Sequence, residues 1–138
     1  KIYVIQLDKN NLGSDIFNSA YLNIVLIWNK GIAFGLLSFN ESHLYNILSL
    51  LISIIVVILV TMSLKSRGFK RYSLLMIVGG ALGNLHDRIF FNAVPDFIDL
   101  HAGNFHWFIF NVSDIFITLG VISMIVLELV DNKTEKTH

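Results

Sequence analysis

Long apolar segments dominate the pattern of hydrophobic and polar positions along this chain. Residues 44–64 carry no charged side chain, and residues 72–91 and 110–130 are apolar over a similar length. A helix rises about 1.5 Å per residue, so each segment reaches about 30 Å, the thickness of the hydrocarbon layer of a membrane. The pattern predicts three membrane-spanning helices within a single membrane-embedded domain of residues 1–138.

Residues 1–43 have a different pattern. Within them, residues 21–28 are rich in Val, Ile, Leu and aromatic side chains, which is typical of a β-strand. Asn10-Asn11 and Gly13-Ser14 are turn-forming pairs, so the segment is predicted to be extended rather than helical. The predicted fold class is an all-α transmembrane helical bundle with a small extracytoplasmic β-rich segment.

The basic residues predict the orientation in the membrane. The connection between the first two apolar segments carries Lys65, Arg67, Lys70 and Arg71, whereas residues 89–113 contain no Lys or Arg. Loops rich in Lys and Arg stay on the cytoplasmic side. The connection at 65–71 is therefore predicted to be cytoplasmic, and residues 1–43 and 89–113 to face outward.

Composition excludes several functions. Apolar residues make up 54% of the chain and charged residues 14%, which is far from the balance of a soluble domain. The chain has no cysteine, and its formal net charge of zero comes without a basic stripe, so neither thiol chemistry nor nucleic-acid binding is expected. His-Glu-x-x-His and Gly-x-Ser-x-Gly patterns are absent, which argues against a zinc protease and a serine nucleophile.

A polar stripe emerges toward the outer end of the second apolar segment. Asn84 and Arg88 are four residues apart and Asp87 lies three beyond Asn84, so they share a helix face. Pairing with neighbours is the favoured interpretation for Asp87 and Arg88, with catalysis as the alternative. Gly79 and Gly83 are also four apart and predict close approach of another helix.

Two aspartates flank the predicted outer loop. Asp96 follows Pro95, which predicts a turn or extended segment. Asp114 lies about one turn inside the third apolar segment, and Asn111, three residues earlier, lies on the same helix face. A helical hairpin would bring both to one membrane depth, where two carboxyls in a dry site share a proton and act as base and acid on water. Asp114 as a helix cap is the structural alternative. Asp99 is expected to be a solvated loop residue.

The remaining polar and aromatic residues of the outer loop have simpler interpretations. His101 and His106 are five residues apart, which does not fit helical ligand spacing, so they are expected to be solvated or interfacial. An aromatic cluster is expected to anchor the protein in the headgroup layer, in preference to recognising substrate. It consists of Phe105, Trp107, Phe108 and Phe110.

Taken in order, four motifs resemble those of the lipoprotein signal peptidases, also called signal peptidase II. The motifs are Asn29-Lys30-Gly31-Ile32-Ala33-Phe34, Gly79-Gly80-Ala81-Leu82-Gly83-Asn84 with Asp87-Arg88, Val94-Pro95-Asp96-Phe97, and Phe110-Asn111-Val112-Ser113-Asp114. Each alone is weak, but four in the right order are highly specific. Members usually have four spanning helices, the first ending in Asp-Gln-x-x-Lys, and Lys1 is expected to be the last residue of that element. Ser113 stands where alanine is more usual, and no change of mechanism is expected from it.

The resemblance implies an aspartyl endopeptidase that cleaves the signal peptide of bacterial prolipoproteins before the diacylglyceryl-modified cysteine. It implies Asp96 and Asp114 as the catalytic dyad. The supporting and substrate-binding residues it implies are Asn29, Gly31, Asn84, Asp87, Arg88 and Asn111, with Asp87 as the runner-up for catalysis.

The resemblance also implies the setting of the reaction. The expected location is the bacterial cytoplasmic (inner) membrane, with the active site at the outer, periplasmic face. No cofactor or metal is expected, the expected partners are the modified prolipoprotein and membrane lipids, and the chain is expected to be a monomer. The rival interpretation is a small transporter or assembly protein that uses Asp87, Arg88 and Asp114 as a proton relay or salt-bridge network.

Overall fold

The computed structural model describes residues 1–11, 14–31 and 42–135. Along the chain, four helices and three strands follow one another in these residues. They are α1 (Ile2–Asn10), β1 (Leu22–Asn29), α2 (Ser42–Lys65), α3 (Gly68–Phe91), β2 (Val94–Ala102), β3 (Phe105–Phe110) and α4 (Val112–Glu135). The predicted class, a helical membrane protein with a small β-rich segment, is confirmed. Ile32, Ala33 and Phe34 of the first motif lie outside the described residues.

The described residues form two compact units. The first takes the described residues of Lys1–Leu48 together with His86–Asn111, and therefore contains α1 and the three strands. The second takes Ser49–Leu85 together with the chain from Val112 onward, and therefore contains most of the three long helices. The prediction that residues 1–138 form one domain stays a prediction.

The sheet of the first unit is antiparallel, in the order β1-β2-β3. Strand β1 covers the predicted strand and extends it to Asn29. Asn92, with φ of 54°, takes the left-handed conformation that commonly ends a helix, so the chain leaves α3 and turns directly into β2. Gly103, with φ of 60°, takes the same left-handed conformation in the tight connection between β2 and β3.

The three long helices show the inverted polarity of a membrane protein. Each is long and apolar enough to cross a membrane, over Tyr45–Lys65, Gly68–Phe91 and Val112–Asp131. Large apolar side chains along them are exposed, whereas several polar side chains are buried. Lipid can solvate the exposed apolar surface, and the buried polar groups must find partners within the protein.

Small residues allow close helix packing in the second unit. A Cβ added at Gly80 would collide with the backbone carbonyl of Ser113, and one added at Gly83 would lie 2.6 Å from Ser113 Oγ. Gly79 has open space instead, so the predicted close approach of another helix is wrong at Gly79 and confirmed at Gly83. The glycines that permit the contact are Gly80 and Gly83, because helix α4 passes over the face on which these two lie.

The extended structure predicted for residues 1–43 is wrong at its beginning, where Ile2–Asn10 forms helix α1. Its backbone hydrogen bonds include Ile5 N to Lys1 O at 3.0 Å and Asn11 N to Leu7 O at 2.9 Å. The segment contains neither Gly nor Pro, and the Asn10-Asn11 pair ends the helix instead of interrupting an extended chain.

Candidate active site

Strand β2 buries Asp96 close to its beginning. Ile27 of β1 pairs with Asp96 and Trp28 pairs with Pro95, so the carboxylate lies within the sheet and is only 2% exposed. Pro95 lacks an N–H donor, and strand starts tolerate such a residue. The predicted turn or extended segment at Asp96 is therefore a β-strand.

Two asparagine amides hold the Asp96 carboxylate. Asn29 Nδ2 donates to Oδ2 at 2.8 Å, and Asn111 Nδ2 donates to Oδ1 at 2.6 Å. Asn111 is fully buried and comes directly before α4. Because each carboxylate oxygen receives an N–H donor, the plane and the rotamer of Asp96 are fixed.

Asn29 also bonds the backbone of Gly31, two residues further along the chain. Its Oδ1 accepts a hydrogen bond from Gly31 N at 2.8 Å, and the Arg88 guanidinium donates to the Gly31 carbonyl. Tyr45 donates its hydroxyl to the Arg88 carbonyl at 3.4 Å. Side-chain contacts to the Gly31 backbone thereby hold the chain from Asn29 to Gly31 and orient the Asn29 amide that contacts Asp96.

Asp114 occupies the first turn of α4 in the second unit. It is the third residue of the helix rather than the residue before it, so the alternative of Asp114 as the helix N-cap does not describe its position. Asn84 Nδ2 donates to Asp114 Oδ1 at 2.8 Å, and the carboxylate is 4% exposed. A carboxylate here also benefits from the positive end of the helix dipole.

Asp87 and Arg88 are buried and interact with neighbours, as predicted. Lys1 Nζ lies 2.5 Å from Asp87 Oδ2, and the exposed His86 lies with Nδ1 3.6 Å from Asp87 Oδ1. Arg88 contacts the Gly31 carbonyl. These contacts agree with the favoured interpretation, in which Asp87 and Arg88 pair with neighbours.

Comparison with known proteins identifies the family of this chain. Residues 1–130 match the sequence profile of the family described as signal peptidase (SPase) II. The chain belongs to the signal peptidase II family. The lipoprotein signal peptidase of Pelagibacter ubique (strain HTCC1062) is 50% identical over 138 residues, which cover 100% of this chain and 82% of that protein. That of Anaplasma phagocytophilum (strain HZ) is 47% identical over 116 residues, covering 83% and 74% respectively.

The fold is also similar to that of solved bacterial membrane enzymes. One structure, described as a bacterial membrane enzyme at 2.3 Å resolution by the in meso method, superposes with a TM-score of 0.73 at 28% identity. The match covers 96% of this chain and 87% of that one. A second, described as a bacterial membrane enzyme at 1.9 Å resolution, gives a TM-score of 0.67 at 29% identity, covering 93% and 88%.

In this signal peptidase II family member, Asp99 departs from its expected role as a solvated loop residue. It is 4% exposed and accepts a hydrogen bond from Asn23 Nδ2 at 3.4 Å. His106 Nδ1 lies 2.9 Å from its Oδ2. The expectation was wrong because the segment folds into the middle strand of the sheet, where β1 and β3 cover it on both edges.

The histidines of the outer loop cluster around Asp99. His101 pairs with His106 across the hairpin, and their rings stack with centroids 5.0 Å apart. His106 has a half-exposed side chain, as expected for an interfacial residue, but its ring nitrogen contacts Asp99. Among the residues that the structure describes, Asp99, His101 and His106 are the group able to hold a metal ion. Alternation along β2 could have placed Asp99 and His101 on one face, but their meeting with His106 depends on strand register.

Proposed function

We propose that this protein is a membrane aspartyl endopeptidase that cleaves the signal peptide of prolipoproteins before the diacylglyceryl-modified cysteine. Asp96 and Asp114 are the catalytic carboxyls of the proposal. The observation that carries it is that each is a buried carboxylate held by amide donors of asparagine, in a member of the signal peptidase II family.

The contacts of the buried aspartates support the choice of Asp96 and Asp114 over Asp87. Asp87 forms an ion pair with Lys1 at 2.5 Å, and the contacts of Asp96 and Asp114 include hydrogen bonds from asparagine amides. The amides hold the carboxyls in a fixed orientation. The proposal requires the pair to act with one carboxyl protonated and one ionised, as acid and base catalysis on water demands.

In the proposed mechanism, one of these carboxylates accepts a proton from the attacking water. The other, protonated, donates a hydrogen bond to the scissile carbonyl oxygen and stabilises the charge that develops there. Asn29 and Asn111 orient Asp96, and Asn84 orients Asp114. Proton transfer to the leaving amine then breaks the peptide bond, and no metal or cofactor takes part.

The proposed setting is the bacterial cytoplasmic membrane, with the active site at its outer face. The exposed apolar surface of the long helices supports residence in lipid, and the basic connection 65–71 supports its cytoplasmic placement. The lipid-modified substrate enters sideways with its acyl chains in the bilayer, and the enzyme acts as a monomer. A transport path has less support, because polar Ser123 of α4 bonds the Leu119 carbonyl of its own helix at 2.8 Å.

Cleavage of a diacylglyceryl-modified prolipoprotein tests the proposed activity. The purified protein in detergent is expected to release the signal peptide from the modified substrate and to leave the unmodified precursor intact. Mass spectrometry of the products locates the cleaved bond relative to the modified cysteine. Absence of product from folded protein would contradict the proposal, and equal cleavage of both precursors would contradict the proposed specificity.

Single cysteines test the proposed orientation, because the natural chain contains none. Cysteine at Asn104, in the exposed β2–β3 connection, is expected to react with a membrane-impermeant maleimide added to intact spheroplasts. Cysteine at Ser66 is expected to react only after the membrane is permeabilised. The reverse pattern would place Asp96 on the cytoplasmic side.

A further inference from the structure

We propose that Asp99, His101 and His106 bind one divalent transition-metal ion of the zinc class on the β2–β3 hairpin. One ligand atom from each residue lies within 4.8 Å of the other two. The site is distinct from the proposed catalytic carboxyls and does not depend on the proposed peptidase activity.

Strand register brings the three side chains together. His101 and His106 are direct partners across the hairpin, and Asp99 is two residues before His101, so Asp99 and His101 share a face of β2. The register shifts between Asp99 and His101, where β3 advances by three residues while β2 advances by two. Such a bulge redirects side chains locally, and here His106 Nδ1 lies 2.9 and 3.1 Å from the two oxygens of Asp99.

His101 supplies a second, independent observation. Its Nδ1 is buried and has no hydrogen-bond partner within the described part of the chain. Its ring stacks on that of His106 at an interplanar angle of 19°. A sheltered ring nitrogen without a partner is costly, because it has lost water and gained nothing in exchange. Coordination of an ion uses an imidazole nitrogen in place of the missing hydrogen bond.

The donor set decides the class of ion. Two imidazoles and one carboxylate suit Zn²⁺ and its neighbours, whereas Ca²⁺ and Mg²⁺ prefer shells of oxygen ligands. Around four-coordinate zinc the donors lie about 3.3 Å apart, because each bond is about 2 Å long. The contact of Asp99 with His106 already has this spacing, so binding requires a small movement of His101.

The half-exposed His106 side chain gives the ion a route from solvent, and water completes the coordination. The ion would cross-link β2 to β3 and thereby stabilise the strand that carries Asp96.

Zinc binding by the full-length protein tests the site. The protein is purified in detergent through an affinity tag without histidines, stripped with a chelator, and titrated with Zn²⁺ in competition with a chromophoric chelator. One Zn²⁺ per chain is expected. His101→Ala, His106→Gln and Asp99→Asn are each expected to weaken binding by about 100-fold or more, because loss of outer partners alone costs 10- to 100-fold. His43→Gln, which changes an exposed histidine at the start of α2, is the matched control and keeps full affinity.

Two further measurements use the unchanged protein and therefore do not depend on whether a variant folds. Zn²⁺ is expected to raise the thermal unfolding midpoint of the unchanged protein, since it binds the folded state. Co²⁺ is expected to give the intense visible absorption of four-coordinate cobalt. Absence of saturable binding would overturn the proposal and leave Asp99 and His106 as a metal-free hydrogen-bonded pair. Weak six-coordinate Co²⁺ bands, or His101→Ala binding as tightly as the unchanged chain, would also overturn it.

Discussion

Strand β2 presents two buried aspartates that share one kind of partner and differ in another. Asp96 and Asp99 lie three residues apart, and each accepts a hydrogen bond from an asparagine of β1, Asn29 and Asn23 respectively. Asp96 also accepts a hydrogen bond from the amide of Asn111, whereas Asp99 contacts the imidazole of His106.

The difference separates two uses of a buried carboxylate. Neutral amides orient a carboxyl but cannot take up its proton. The imidazole of His106, 2.9 Å from Asp99, instead links β2 to β3 and can serve as a metal ligand. The proposals therefore assign acid and base chemistry to Asp96, and structure or metal binding to Asp99.

The largest expected effect is loss of cleavage in Asp96→Asn. Asparagine keeps the shape of aspartate but can neither accept a proton from water nor offer an acidic O–H, so activity should fall by about 10,000-fold. Asp114→Asn should be equally inactive, whereas Asp99→Asn should stay within about tenfold of the unchanged protein. Cleavage of the modified prolipoprotein measures all three.

The control for these substitutions is Asp15→Asn, which changes an exposed aspartate. Each variant should retain the circular dichroism of the unchanged protein. Near-full activity in Asp96→Asn together with a folded but inactive Asp87→Asn would reassign the dyad to Asp87 and Asp114. That result would also remove the contrast between Asp96 and Asp99.

A smaller effect is expected from the asparagine partners in β1. Asn29→Ala removes a 2.8 Å hydrogen bond from Asp96 and should lower kcat by about 10- to 100-fold, the usual worth of a bond to a charged group. Asn23→Ala removes the 3.4 Å bond to Asp99 and should change kcat by less than about threefold. Equal losses of kcat would indicate that both asparagines act only on the stability of the sheet.

Two adjacent glycines test how much the stability of the protein depends on the packing of α3 against α4. Gly80→Ala places a methyl group against the Ser113 carbonyl and should destabilise the protein by about 1–3 kcal/mol. Gly79→Ala meets open space and should be neutral or stabilising by up to about 1 kcal/mol, since Ala favours helix over Gly. Unfolding in graded detergent mixtures measures both. A larger cost at Gly79 would contradict the observed packing of α3 and α4.

A modest loss of stability is expected at His106, the residue of β3 that contacts Asp99. In metal-free protein, His106→Gln should lower stability by about 1–2 kcal/mol, because the Asp99 carboxylate loses a close donor. The same unfolding assay after chelator treatment detects the change. An unchanged unfolding midpoint would show that the pair contributes nothing to the hairpin without a metal ion.

The long helices and the membrane class follow from local sequence. An uninterrupted apolar run must leave water, and its length matches the bilayer, so residues 44–64 could be assigned without knowledge of any contact. The strand at 21–28 was predictable for a similar reason, from its β-branched and aromatic side chains. Asp96 and Asp114 could be proposed because their motifs are short and continuous in the chain.

Tertiary structure decided what the loop residues do. Asp99 has the composition of a solvated loop, and its burial depends on β1 and β3 pairing with β2 on both sides. The asparagine partners of Asp96 come from positions 67 and 15 residues away, so no local pattern could connect them to it. The bulge between β2 and β3 likewise decides that His106 meets Asp99. Periodicity specifies what each element is, because it depends on neighbours in sequence, whereas register and packing depend on residues that meet only after the chain has folded.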